Sequence, residues 1–264
     1  ILLGAFCGNF LLPFLAARSG PREERLRFQF RPTLRAPGVK AFFRNAIPIM
    51  LGVSFPVVDQ MVMPFFTSHI PGAYTQLDNG NRMMVAPLAM LAQAASVAAF
   101  PYLAGDIAAG KWHSFAEFLR NGLRRLMFIS LPASALLILL SQSLVYLVFR
   151  HGNYSEAAAQ NSAQALAFFS IGMFAWAGQQ FIARGLYALQ DTKTPTIIGT
   201  LLTFFFFLPL CWVASRTSQP IVGLSLATSI GACAHFCGVW WALERKLEKM
   251  QRGVSLKSER VLGT

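Results

Sequence analysis

Seven continuous apolar runs, most of them about 20 residues long and separated by short, mostly basic connections, leave this chain little choice of fold. A hydrocarbon layer about 30 Å thick is crossed by about 20 residues of α-helix, because in lipid every backbone N–H and C=O must find its partner within the segment. The runs are approximately 1–17, 46–66, 83–100, 126–149, 162–188, 195–215 and 221–243. A membrane barrel would need strands that alternate apolar and polar over about 10 residues, whereas LLTFFFFLPLCWVA is apolar throughout. The expected class is therefore an all-α, multi-pass integral membrane protein. A soluble single-core domain is excluded: of 264 residues 55% are hydrophobic and only 13% charged, against about 25% in soluble domains, and mean hydropathy is +0.48. Ile1 stands inside an apolar run with no Met, basic leader or cleavage motif, so the start is expected to be a truncation and not a signal peptide.

The net charge of +12 suggests nucleic acid until the 23 Lys and Arg are placed. Assigned to alternate connections, 20 fall on one side, and only Arg82, Arg150 and Arg216 fall on the other. Cytoplasmic loops hold such an excess, so the basic side and the C-terminus are expected in the cytoplasm, with Ile1 toward the outer face. Topology thus accounts for the charge, and no nucleic-acid partner is expected. Residues 18–44, broken by Pro21, Pro32 and Pro37, read as a basic cytoplasmic linker between two helix bundles. In 112–125, Phe115, Phe118, Leu119 and Leu123 share one helical face and Arg120 and Arg124 the other. That pattern suits either a helix lying in the inner interface or an ordinary loop helix.

Chemistry-bearing residues are sparse. Cys233 and Cys237 share a helical face while His235 points away, so the three cannot converge on one metal, and Cys7 and Cys211 lie in other apolar runs. Neither disulfides, a metal nor any other cofactor is expected. Gly4 with Gly8, and Gly223, Ala227 and Gly231, form small-residue ridges that permit close helix packing. No carboxylate pair or His–carboxylate pair is visible at membrane depth, so no catalytic residue is assigned. Asp59 is the one acid inside a span, on a stripe with Asn45 and Gly52 in a segment that Pro48, Pro56 and Pro64 should bend. Its cost in mid-membrane, about 2.5–3.5 kcal/mol on insertion scales, points to a cavity or partner, with either an ion- or proton-coupling role or a structural hydrogen bond.

Arg82 stands out more sharply. On a regular helix Ala86, Ala89, Gln93 and Ser96 lie within about 40° of it, opposite Met84, Leu88 and Leu91. Arg82, Gln93 and Ser96 are therefore candidate substrate-binding residues on a cavity wall; alternatively Arg82 only snorkels at the outer interface. Arg184, on a face with Trp176, Gln180 and Tyr187, reads as an anchor at the cytoplasmic end.

Three stretches carry a family resemblance: GAYTQLDNGNRMMVAPLAMLAQAASVAAFPYLAGDIAAGKW, FRHGNYSEAAA and GLYALQDTKTP. They resemble the corresponding parts of the MurJ/MviN-type lipid II flippases, within the multidrug/oligosaccharidyl-lipid/polysaccharide exporter superfamily. The similarity runs from about Arg44 to Leu243, the run from Tyr187 to Pro195 being its most specific part. It implies a flippase of two six-helix lobes in the bacterial cytoplasmic membrane, moving an undecaprenyl-diphosphate-linked peptidoglycan precursor to the outer face by alternating access. Residues 1–17 would then end the first lobe's last span, 18–44 would be the linker, 45–243 the second lobe and 244–264 a basic cytoplasmic tail. Membrane lipids and the missing N-terminal lobe are the implied partners. The resemblance gives Arg82 the cargo diphosphate, which a guanidinium suits because its donors match phosphate oxygens. Departures from the family pattern are Val85, where an acid is usual, and Met63, where many members place an acid or amide. Alternative readings are export of another lipid-linked oligosaccharide or polysaccharide precursor, export of a small cationic drug, which an arginine in the cavity wall disfavours, or a membrane-embedded enzyme of lipid-linked sugars.

Overall fold

Apolar runs of this length become helices that bury one stripe against each other and leave the rest to lipid. The computed structural model describes residues 54–151 and 154–262, with side chains described from 61 to 250, all within the unit Arg44–Thr264. The expected first span, the basic linker, Cys7, the Gly4–Gly8 ridge, Asn45 and Gly52 lie outside the described residues, as does the Asp59 side chain. Every regular element among the described residues is helical.

Helix α1 (Ser54–Thr67) contains Pro64 and ends where Thr67 donates its hydroxyl hydrogen to the Met63 carbonyl, 2.7 Å away. Gly72, at φ +76°, reverses the chain in a left-handed conformation that L side chains avoid. The next span is one 36-residue rod, Ala73–Ala108, made of α2 (Ala73–Leu88), a π-turn (Ala89–Gln93) and α3 (Ala94–Ala108). Helix α4 (Trp112–Phe149) follows with 38 residues. Then come α5 (Glu156–Ile171) and α6 (Met173–Ala188), bent by 47°. A third rod joins α7 (Lys193–Leu202), a second π-turn (Thr203–Phe207) and α8 (Leu208–Ala214), and α9 (Pro220–Leu262) ends the chain. Among the described residues four helices, or five with the bent pair taken as one, are long and apolar enough to span a membrane. The tail expected from 244 continues α9 as helix to Leu262.

Two expectations change. The segment 112–125 is not a separate helix lying in the interface or in a loop, because it is the first third of α4. Phe115, Leu119 and Leu123 are buried in protein, and Leu119 packs against Gly185 of α6, where an added Cβ would meet its Cδ1 at 2.8 Å. Periodicity identifies an apolar face but not what covers it. The run 162–188 is likewise not one straight span, since it breaks at Gly172. There Ser229 of α9 reaches across: its hydroxyl accepts the Gly172 N–H at 3.2 Å and donates to the Phe168 carbonyl at 2.6 Å. A polar side chain inserted into a helix ladder is a recognised cause of a sharp kink.

Candidate functional site

The first turns of α2 are tied to α5 by side chains that spacing alone does not single out. Asn79 Nδ2 donates to the Tyr154 hydroxyl at 3.2 Å, and that hydroxyl lies 2.7 Å from the Ser162 Oγ, which donates to the Gln76 carbonyl at 3.0 Å. Asn161 Nδ2 donates to the Gln76 Oε1 at 3.0 Å. Beneath this relay Gly80 lets the two helices touch, since a Cβ there would stand 2.8 Å from the Leu166 backbone nitrogen. The helix that carries Arg82 is thus held firmly just before the arginine.

Arg82 itself faces out of the bundle, with its side chain 74% exposed. Its Nε donates to Asp78 Oδ2 at 2.7 Å, one turn earlier, and the two Nη groups have no partner among the described residues. An exposed i,i+4 pair of this kind contributes only about 0.3–0.5 kcal/mol. Its use is orientation: Asp78 holds one edge of the guanidinium and leaves a fork free for an oxyanion.

Of the other expected wall residues, Gln93 is exposed, but Ser96 is turned into the bundle at 1% exposure, with its hydroxyl unpartnered. The π-turn is the cause. From Gly80 the buried positions recur as Met84, Leu88, Ala92 and Ser96, every fourth residue. Those four steps take 16 residues where four α-helical turns take about 14.4. The one residue that a π-turn adds supplies about 100° of that drift and turns the exposed face onto Ala94, Val97 and Ala98. Arg82 and Gln93 therefore share an outer face, and Ser96 stands behind it.

Asp59 lies on α1, and one turn later Met63 is buried in the apolar core at 6% exposure. Cys211 is buried, Cys233 half-buried and Cys237 exposed, and none of the three is in a disulfide among the described residues. His235 packs on Gly199, where an added Cβ would lie 3.2 Å from its Nε2. Among the described residues no group of three His, Cys, Asp or Glu side chains could hold a metal. Arg184 is exposed on α6.

The opposite end of the bundle is clamped by ions. Arg120 grips Glu244 through both Nε (3.1 Å) and Nη2 (2.6 Å), joining α4 to α9. Asp191, within the run that carries the most specific resemblance, accepts the Thr194 N–H at 3.1 Å and the Lys246 ammonium at 2.7 Å. Gln190 before it adopts φ +55°, stopping α6, so this run works as a helix stop, a cap and a clamp onto α9. Burial pushes the Asp191 carboxyl up, but the Lys246 and Thr194 donors outweigh it and hold the group below its ordinary value.

With this geometry in place, comparison with known proteins is direct. The family model described as "Lipid II flippase MurJ" matches residues 3–262. The probable lipid II flippase MurJ of Synechocystis sp. is 26% identical over 266 residues, covering 96% of this chain and 47% of that protein. The lipid II flippase MurJ of Burkholderia cenocepacia is 27% identical over 220 residues, covering 81% and 41%. A solved structure titled as lipid II flippase MurJ in an inward closed conformation superposes with TM-score 0.68 at 21% identity, over 86% of this chain and 49% of that one. The Vibrio cholerae MATE transporter VcmN in a bent form gives 0.72 at 16% identity, over 92% and 53%, which shows a common fold. The chain spans about half the length of the curated relatives it matches. An all-α membrane bundle, matched by one family model from residue 3 to residue 262, belongs to the MurJ lipid II flippase family.

Proposed function

We propose that this chain supplies the second lobe of a flippase that carries a lipid-linked peptidoglycan precursor across the bacterial cytoplasmic membrane by alternating access. In this reading 45–243 is the lobe, 18–44 the cytoplasmic linker, 1–17 the end of the first lobe's last span and 244–264 a cytoplasmic tail. The observation that carries it is Arg82, an exposed guanidinium with both Nη groups free on a rigidly pinned span, in a chain of this family. A diphosphate offers the oxygen geometry such a fork matches. Gln93, on the same face, adds a neutral hydrogen-bonding group deeper in the wall, and Ser96 backs it from the second layer. Transport of this kind makes and breaks no covalent bond, so the chain is assigned no catalytic residue. Asp59 is kept as the candidate for ion coupling, on α1 beside the rod that bears Arg82.

The test is growth complementation with the full-length protein. Arg82→Ala should abolish support of growth at unchanged membrane abundance. Arg82→Lys should retain only part of it, because a point charge lacks the paired donors. Full growth on Arg82→Ala would reduce Arg82 to an interface anchor. A polar face on one lobe needs the other to seal it, so the isolated chain should insert without translocating, and co-expression with a first lobe should restore transport. Robust translocation by the chain alone as a monomer in liposomes would contradict the two-lobe mechanism.

A further inference from the structure

Two concavities adjoin along the basic first third of α4, the larger of them between it and α3. The larger, about 580 Å³, is walled by Leu91, Ala95 and Ala98 on one helix and by Phe118 and Ile129 on the other. At its open edge Tyr102 stacks on Phe118 with ring centres 6.0 Å apart. The smaller, about 360 Å³, is polar and holds His113, Arg120 and Arg124. Glu117 and Asn121 line both, so the two adjoin as one two-part depression, with Arg125 on the edge of the larger, mostly apolar part and Arg124 in the smaller, polar part.

Depth fixes which end is which. The apolar run of α4 begins at Leu126, so Arg124 and Arg125 stand at its boundary, where lipid headgroups lie, and Ile129 stands within the hydrocarbon. Charge balance then names the occupant. Glu244 neutralises Arg120, while Arg124 and Arg125 are exposed and have no ion pair among the described residues. Against Glu117, the one acid that lines the depression, they leave net positive charge in its lining, with Asp106 held on Ser114 at the margin. We propose that this depression is a binding site for one anionic phospholipid of the inner leaflet, its phosphate on Arg124 and Arg125 and an acyl chain along Ala95, Ala98 and Ile129. The inner-leaflet assignment uses the same charge bias that orients the spans. Basic clefts between helices on that side are suited to anionic headgroups.

The test is native mass spectrometry of the purified chain, counting lipids retained after exchange into micelles containing phosphatidylglycerol, phosphatidylcholine or inorganic phosphate alone. One phosphatidylglycerol should be retained per chain, with phosphatidylcholine bound far more weakly and phosphate not at all. Arg124→Gln with Arg125→Gln should weaken phosphatidylglycerol retention about 30-fold, from roughly fivefold for each cation at the membrane surface. Ala98→Trp, which fills the apolar end from an exposed position, should abolish retention with both arginines intact. Circular dichroism would verify that both variants keep their helix content. Equal retention of the two phospholipids, or unchanged retention in the arginine variant, would overturn the proposal. Retention unaffected by Ala98→Trp would reduce the site to surface charge, and no retained lipid at all would mean that the groove is closed by protein; either result refutes it.

Discussion

The bend at Gly172 can be taken apart into a steric and a polar contribution. Gly172→Ala would put a Cβ 2.8 Å from the Ser229 Cα and 2.9 Å from its Oγ. A backbone atom on a facing helix cannot turn aside, so α9 must move, at a cost of about 1–3 kcal/mol for an overpacked contact. Ser229→Ala keeps the backbone approach and removes only the hydroxyl. The Phe168 carbonyl then loses its 2.6 Å donor, while the Gly172 N–H keeps the Phe169 carbonyl at 3.0 Å. Interhelical hydrogen bonds in membranes contribute about 0.6 kcal/mol on average and about 1.7 at most, so this change should cost less than the first. Combining the two should be non-additive, because removing the Oγ relieves part of the clash that the new Cβ creates. The assay is an SDS titration of the purified chain in mixed micelles, followed by helical circular dichroism. If Gly172→Ala unfolds within about 0.3 kcal/mol of the unmodified chain, the close approach is not what sets the bend, and the reasoning fails.

The Asp191 clamp gives a pH signature. Its folded carboxyl lies below the ordinary 3.8, so its stabilisation is complete well above that value and is lost as pH falls through the lower folded value. Asp191→Asn should therefore cost about 1 kcal/mol at neutral pH and remove part of the decline in stability below about pH 4, measured by thermal unfolding in detergent. An unchanged acid limb would mean that Lys246 does not hold the group. Topology is checked by cysteine labelling: Phe30→Cys and Ser114→Cys should react only after the membrane is permeabilised, and labelling of either in intact cells would invert the orientation drawn from the charge bias.

How much was legible beforehand differs between fold and site. The apolar runs and the Lys and Arg between them were enough for the helical class and for which described segments are apolar enough to span, and they offered a candidate orientation, because those follow from one-dimensional hydropathy and charge. The run from Tyr187 to Pro195 was visible as a signature, but its work as a stop, cap and clamp needed Lys246, 55 residues away from Asp191. Arg82 stood out because a charge among small residues interrupts the pattern, whereas Ser96, set beside it by a period of 3.6 throughout, is turned into the bundle. A π-turn beside Pro87 leaves no mark in composition and still rotates everything after it. The relay through Asn79, Tyr154 and Ser162 and the kink at Gly172 join residues as much as 86 and 61 positions apart. Only packing could bring those groups together, since a hydrogen bond between helices depends on crossing angle and close approach, which no local periodicity encodes. Sequence alone thus determined the helical class, which segments are apolar enough to enter a membrane and which ends carry the positive charge; tertiary structure decided which faces are buried, where the helices bend and which polar groups meet.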